Sequence, residues 1–298
     1  ERPCSVLAVD NLITSEAPKF AGDGNVRFET CDVTKPFANR DRYDFVIHAA
    51  GIASPFYYRA HPLETLDVAI TGTRNMLELA AECRAKLLFF SSSEIYGDPD
   101  PSEVPTKEEY RGNVASLGPR ACYDESKRLG ETLCYIFHTQ GMADARMVRP
   151  FNVFGPGMKE KDYRVLPNFA SRIVAGKPLQ IYSSGRQTRT FCYISDAMNG
   201  FLRALVHGRS GEAYNIGNPT PEISMDELAR ITAELCPGRG VEVQKVSYPD
   251  SYPGDEPQRR CPDITKARTE LGYEPTVVLE QGLKKFYDWA FANYRGTV

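Results

Sequence analysis

The sequence contains no cysteines at C-x-x-C spacing and no cluster with the spacing of zinc ligands. Its eight cysteines, at 4, 31, 83, 122, 134, 192, 236 and 261, are therefore read as reduced thiols in a cytoplasmic setting, with no metal site. No apolar run approaches the ~20 residues that a membrane helix needs. The polar start Glu1-Arg2-Pro3 has none of the features of a secretory signal. Repeats and low-complexity segments are missing as well. Lysines and arginines are scattered over a chain of net charge −3 and pI near 5.9, without the basic cluster that nucleic acid or an anionic membrane requires. The expectation is a soluble protein with neither a nucleic-acid nor a membrane partner.

What is present is a strongly patterned chain of 298 residues, 42% hydrophobic, long enough for one large domain with a smaller one attached. Apolar runs at Ser5–Asp10, Val26–Cys31, Phe45–Ala49, Lys86–Ser91 and Ala143–Arg149 read as strands buried on both faces. Between them, Leu63, Leu66, Ile70, Leu77 and Ala80 predict an amphipathic helix over Pro62–Glu82. Leu129, Leu133 and Ile136 predict another over Tyr123–Thr139. Alternation with short connections implies an α/β fold with a doubly wound, parallel, Rossmann-type sheet. After Pro150 the texture becomes turn-rich and more broken, which predicts a smaller C-terminal lobe. There Ser224-Met225-Asp226-Glu227 is a capping box, and Leu279, Leu283, Phe286 and Ala290 form a closing helix.

Ligands of open parallel sheets bind beyond the carboxyl ends of the strands, so the residues there carry the functional reading. Asp10, followed by Asn11, ends the first strand, where a carboxylate can accept both hydroxyls of an adenosine ribose and would repel a 2′-phosphate. Aspartates also end strands simply as turn formers. Asp32-Val33 and Ala49-Ala50-Gly51 follow the next two strands, and ordinary loop chemistry accounts for any one of them alone. Tyr123 and Lys127, four residues apart, project from one helix face, so the ammonium can favour the phenolate and bring the phenol down from about 10 toward use as a base. Ser91-Ser92-Ser93-Glu94 ends an apolar strand, which places the Ser92 hydroxyl where it can hydrogen-bond the oxygen that Tyr123 deprotonates.

The segments HAAG at 48–51, SSSEIYG at 91–97, YDESK at 123–127 and RPFNVFGPG at 149–157 resemble the extended short-chain dehydrogenase/reductases that modify nucleotide sugars. The likeness runs over nearly the whole chain. GPRACYDESKRLGET at 118–132, SGRQTRTF at 184–191 and DEPQRRCPDI at 255–264 are similar to the decarboxylating members. The resemblance implies an NAD-binding domain over 1–155 and a lobe over 156–298 that mainly binds the nucleotide sugar, some of its segments returning to the first domain. It implies Ser92, Tyr123 and Lys127 as the catalytic triad, Asp10 and Asp32 as adenosine contacts, and Ala49 to Gly51 along the cofactor pyrophosphate. Asn152 would contact the substrate diphosphate, Tyr182 and Arg189 the base and phosphates, and Glu94 and Arg260 the sugar ring and its carboxylate. Arginine suits the last task because its planar fork pairs bidentately with carboxylates.

The implied reaction is NAD-dependent decarboxylation of a nucleotide-linked uronic acid, a UDP-sugar, through a 4-keto intermediate. Ser93 stands where 4,6-dehydratases usually carry an aspartate acid, and Glu94 where simple 4-epimerases usually lack a glutamate. Dehydratase, 4-epimerase, 4-dehydrogenase and a catalytically silent nucleotide-binding protein are the alternatives. Two departures bear on them. The family's opening strand and G-x-x-G-x-x-G turn, whose amides hold a pyrophosphate at a helix N-terminus, have no counterpart, so the first βα unit is expected to be missing and the sheet to lose a strand. Ala69 stands where relatives usually place an asparagine near the cofactor. Relatives commonly dimerise through a four-helix bundle, here Tyr123–Thr139 and Pro62–Glu82, so a homodimer is expected.

Overall fold

The computed structural model describes residues 4–16, 18, 24–37, 41–162, 164–247 and 257–296. The first half runs β1 (Val6–Asp10), β2 (Val26–Thr30), β3 (Phe45–His48), α1 (Pro55–Ala60), α2 (Pro62–Asp67), α3 (Thr73–Cys83), β4 (Lys86–Phe90), α4 (Ala121–Thr139) and β5 (Asp144–Pro150). The second half runs β6 (Val153–Phe154), α5 (Val165–Val174), β7 (Leu179–Tyr182), β8 (Thr188–Arg189), β9 (Cys192–Tyr193), α6 (Ile194–His207), β10 (Ala213–Ile216), β11 (Ile223–Ser224), α7 (Met225–Leu235), β12 (Val243–Val246), β13 (Arg259–Arg260), α8 (Thr265–Leu271) and α9 (Leu279–Asn293). No helix among the described residues is long and apolar enough to cross a membrane.

The central sheet is parallel throughout, in the order β10-β5-β4-β3. Because successive strand residues point to opposite faces, β4 serves two cores at once. Leu87 and Phe89 pack under α3 and α4, while Leu88 and Phe90 face α6 and α8. A third core, built from α5, α7 and α9 around Phe154, Leu228 and Phe286, fills the C-terminal half. Ser224 caps α7 as expected, its Oγ accepting from Glu227 N at 3.1 Å.

β1 and β2 pair in parallel with each other and form a ladder apart from the central sheet. On β3, Val46 and His48 are buried, whereas Phe45 and Ile47 on the opposite face are half-exposed.

Two predicted helix faces require correction. The helix over Pro62–Glu82 is interrupted by a π-helical turn at Val68–Gly72. Such a turn holds one extra residue and rotates the faces on either side of it relative to each other. Leu63 and Ile70 are consequently exposed, and the buried stripe is Thr65, Ala69, Thr73, Met76, Leu77 and Ala80. On α4 the stripe is Tyr123, Ser126, Lys127, Gly130, Leu133, Cys134 and Phe137; Ile136 is exposed and Leu129 half-buried. Periodicity in large apolar residues overlooked it because this face buries small residues and one lysine.

Gly130 is what lets α4 settle onto the sheet. A Cβ there would stand 2.2 Å from Cζ of Phe89, which is buried and has nowhere to swing. Gly130→Ala is therefore expected to destabilise by about 1–3 kcal/mol through overpacking, against a helix-propensity gain of at most ~1 kcal/mol. The thermal midpoint should fall by several degrees; an unchanged or higher midpoint would show that the contact yields freely.

Candidate active site

Beyond the carboxyl ends of β3, β4 and β5 lies a cavity of about 360 Å³. The strand ends contribute Ala49 and Gly51, then Ser91 to Glu94, then Pro150 and Asn152; α4 contributes Tyr123 and Lys127. The C-terminal half closes it with Tyr182, Arg189 and Arg260. One space thus gathers residues that stand up to 211 positions apart in the chain, Ala49 to Arg260.

Tyr123 is buried and stacks on Tyr58, ring centroids 5.2 Å apart and planes 10° from parallel. Ser92 lines the same cavity, and its side chain favours the ionised form of the phenol. Lys127, also buried, donates from Nζ to the Phe90 carbonyl at 2.9 Å, with Nζ 5.7 Å from the Tyr123 ring centroid. Gly51 makes room for this ammonium, since a Cβ there would stand 3.0 Å from Nζ.

The electrostatics correct one expectation. Burial pushes the Tyr123 phenol up to about 12, with the Ser92 side chain as a smaller opposing influence. Burial also brings the Lys127 ammonium down to about 8. The lysine does not lower the phenol as expected, because taking a phenolate out of water costs more than an ammonium at this distance, already engaged with a carbonyl, returns. On protein groups alone, Tyr123 stays protonated near neutral pH.

Glu94 follows Ser92 on a short 3₁₀ turn that Ser92 Oγ caps by accepting from Glu94 N at 3.2 Å. Its carboxylate takes a bidentate pair from Arg260, Nη1 to Oε1 at 2.6 Å and Nη2 to Oε2 at 2.7 Å. Arg120 Nη2 also bonds Oε2. Burial alone would raise this carboxyl, but Arg260, Arg120 and Arg189 outweigh it and hold it at about 2, so Glu94 is fully ionised.

Asp124 behaves in the opposite way. Burial, reinforced by the nearby Glu94 charge, raises its carboxyl from 3.8 to about 7, although Arg120 Nε lies 3.8 Å from Oδ2. Since the folded state favours the neutral form, this group's stabilising contribution is complete below pH 3.8 and is lost as the pH rises to about 7. Asp124→Asn should lack that loss. Its melting temperature relative to the wild type is expected to rise by several degrees between about pH 4.5 and about pH 7.5. A difference that stays constant over this range would mean that Asp124 ionises normally.

Of the other predicted residues, Ser93 is buried at the cavity wall. Asn152, at φ 41°, donates from Nδ2 to Thr190 O at 2.8 Å. Arg189 donates to the Pro257 and Thr188 carbonyls at 2.7 and 2.8 Å. Ala50 lines a small pocket behind Tyr123 and Lys127, and Ala69 of the π-helical turn faces the same pocket. Asp10, Asn11, Asp32 and Val33 do not line the main cavity. Asp10 Oδ1 accepts from Leu12 N, Asn11 Oδ1 from Ile13 N and Asp32 Oδ1 from Thr34 N, so each makes a local turn, and Val33 packs in the core under α3.

Sequence reasoning missed Tyr58, Arg120 and Asp124. Arg120 and Asp124 lie inside the GPRACYDESK segment, and their spacing around Tyr123 was a usable signal, Arg120 standing one helical turn before the phenol. Tyr58 sits in no motif, and only the packing of α1 against α4 reveals it.

Comparison with known proteins agrees with this geometry. The chain is 42% identical to UDP-glucuronic acid decarboxylase 1 of Xenopus tropicalis over 94% of its own length and 65% of that protein's. It is 41% identical to UDP-glucuronic acid decarboxylase 5 of Arabidopsis thaliana, over 93% of this chain and 79% of that one. The chain thus spans about two-thirds to four-fifths of the length of these relatives. The structure of UDP-glucuronic acid 4-epimerase from Bacillus cereus, in complex with UDP-glucuronic acid and NAD, superimposes with a TM-score of 0.79 at 26% identity, covering 97% of this chain and 92% of that one. Residues 1–217 match the NAD dependent epimerase/dehydratase family. With a parallel Rossmann-type sheet, the tyrosine, lysine and serine gathered at its carboxyl edge, and these likenesses over nearly its whole length, the chain belongs to the NAD dependent epimerase/dehydratase family.

Proposed function

We propose that this chain is an NAD-dependent carboxy-lyase that converts a nucleotide-linked uronic acid into a pentose nucleotide, UDP-glucuronate into UDP-xylose. The observation that carries the proposal is the Glu94–Arg260 fork, seated in one cavity with Ser92, Tyr123 and Lys127. Chemistry confined to C4 does not call for buried guanidinium groups beside the base; an acidic sugar does. Ser93 lacks the acidity to expel a C6 hydroxyl, which disfavours a dehydratase. The names of the relatives favour carbon dioxide loss over 4-epimerisation of the same acid.

The residues fit the nicotinamide half of NAD: Gly51 keeps the space over the Lys127 ammonium clear, and Lys127 and Tyr123 would hold the adjoining ribose. NAD, when bound, supplies the two-electron acceptor for C4 and, in its oxidised form, a positively charged ring whose field favours ionisation of an adjacent phenol. Tyr123 takes the proton of the sugar 4-hydroxyl, and Ser92 orients that oxygen. Once C4 is a ketone, the C6 carboxylate is β to a carbonyl, and carbon dioxide leaves as the electron pair delocalises into an enolate. Ser92 and Tyr123 then donate hydrogen bonds to the enolate oxygen; protonation at C5, return of the two electrons to C4 and return of the Tyr123 proton to O4 would give the pentose nucleotide and leave NAD in its oxidised form.

Incubating the protein with NAD and UDP-glucuronate should release carbon dioxide and a pentose nucleotide detectable by mass. Recovery of an isomeric uronate, or of unchanged substrate, would overturn the proposal. Dimerisation belongs to it too, supported by the exposed Leu63, Ile70, Tyr135 and Ile136 on α2, the π-helical turn and α4. Sedimentation as a monomer at micromolar concentration would remove it. A cytoplasmic location is supported by eight unpaired cysteines, and cell fractionation tests it.

A further inference from the structure

Two guanidinium groups, not one, converge on Glu94. Arg260 occupies both carboxylate oxygens, and Arg120 shares Oε2 from the opposite element, the N-terminus of α4. The Arg120 and Arg260 side chains are each only about a tenth exposed, and both line the cavity. Arg260 Nε is buried without a hydrogen-bond partner among the described residues, so that guanidinium retains donor capacity. Two cations thus share one ionised carboxylate, and this positive pair lines the cavity; Asp124 Oδ2 stands 3.8 Å from Arg120 Nε, longer than a hydrogen bond.

Position gives that charge a purpose. Arg120 lies one helical turn before Tyr123, and its own carbonyl accepts from Tyr123 N at 2.9 Å, so the guanidinium is tied to the backbone that carries the phenol. In a hexuronic acid the C6 carboxylate hangs from C5, the carbon next to C4. A group that reads this carboxylate must lie within a few ångströms of the one that reads O4. Arg120 and Arg260 line the cavity with Tyr123, while the two other cavity arginines of the C-terminal half are engaged elsewhere, Arg189 on the carbonyls of Thr188, Pro257 and Gln258 and Arg164 on the Asp162 carboxylate.

We propose that Arg120 is a specificity-determining residue that, together with Arg260, forms a two-guanidinium clamp selecting an acidic sugar over its neutral counterpart. Glu94 holds the two forks apart and in register until the substrate carboxylate engages them. This inference rests on the function proposed above and names a residue of the same site. The alternative role is that of a pin that only fixes Glu94 and affects every sugar alike.

The test measures equilibrium binding of UDP-glucuronate and of UDP-glucose by titration calorimetry, with NAD present and turnover blocked by a Tyr123→Phe background, for that background alone and with Arg120→Met or Arg120→Lys added. Arg120→Met should weaken UDP-glucuronate at least about tenfold and leave UDP-glucose within about twofold. Arg120→Lys, which keeps the charge but loses the planar fork, should show a smaller loss confined to the acidic sugar. Equal loss for both sugars, or no loss for either, would overturn the assignment. Should Arg120→Met fail to fold, Arg120→Lys is judged by the same criteria. A wild-type protein that binds UDP-glucuronate no better than UDP-glucose and does not turn it over would overturn the proposed function itself, which separates that failure from a wrong role for Arg120.

Discussion

Tyr123→Phe is expected to lower turnover of UDP-glucuronate at saturating NAD by at least ~100-fold, the scale on which a general base acts. The ring remains, so its stacking on Tyr58 at 5.2 Å is preserved and the fold should be undisturbed. Substrate binding should change little, which puts the effect in kcat. A near-normal rate would contradict the assignment of Tyr123 as base. The raised phenol gives a second check. Protein groups alone hold Tyr123 at about 12, so phenolate absorbance, taken as the difference between wild type and Tyr123→Phe, should move to lower pH when NAD is added. If saturating NAD produces no shift, the phenol is not ionised in the way the mechanism requires.

Arg260→Ala should have an effect of similar size, selective for the acidic sugar. It removes a bidentate partner from a buried carboxylate, a change worth roughly 2–5 kcal/mol in comparable settings. The corresponding loss in kcat/KM for UDP-glucuronate is on the order of 100-fold or more. Binding of UDP-glucose should suffer far less, and Arg260→Lys should recover only part of the loss because an ammonium cannot span both oxygens. Equal losses for the two sugars would argue that no carboxylate is handled there. Since Glu94 would lose its bidentate partner and keep Arg120 as its hydrogen-bonded guanidinium, with Arg189 near it, a thermal melt of the variant is needed to separate lost recognition from lost structure.

The motifs at the strand ends were legible because their chemistry is local. Ser91 to Glu94 must follow β4, and Tyr123 and Lys127 must share a helix face, whatever the rest of the chain does. Residue types were legible for the same reason: a glycine in HAAG, a serine cap three residues before Glu227. Asp10, Asn11 and Asp32 read equally well as turn formers, and turns are what their carboxylate and amide oxygens build.

The helix faces were less legible. A π-helical turn changes phase without marking itself in hydropathy, so Leu63 and Ile70 were placed inward and lie outward. On α4 the buried face is made of Ser126, Lys127, Gly130 and Cys134, residues that no apolar pattern selects.

By itself the sequence determined the strand and helix alternation, the parallel sheet and the grouping of Ser92, Tyr123 and Lys127, which follow from side-chain period and from chemistry carried by single residue types. Glu94 and Arg260 were legible only through the resemblance to the family, since a carboxylate after a strand and an arginine in a charged run have no distinguishing local chemistry. Tertiary structure alone decided that Arg120 meets Glu94, that Tyr58 stacks on the phenol, and that burial sets Tyr123 at about 12 and Asp124 at about 7. Those are properties of distance and of water excluded by segments far apart in the chain, and neither is written in any local stretch of residues.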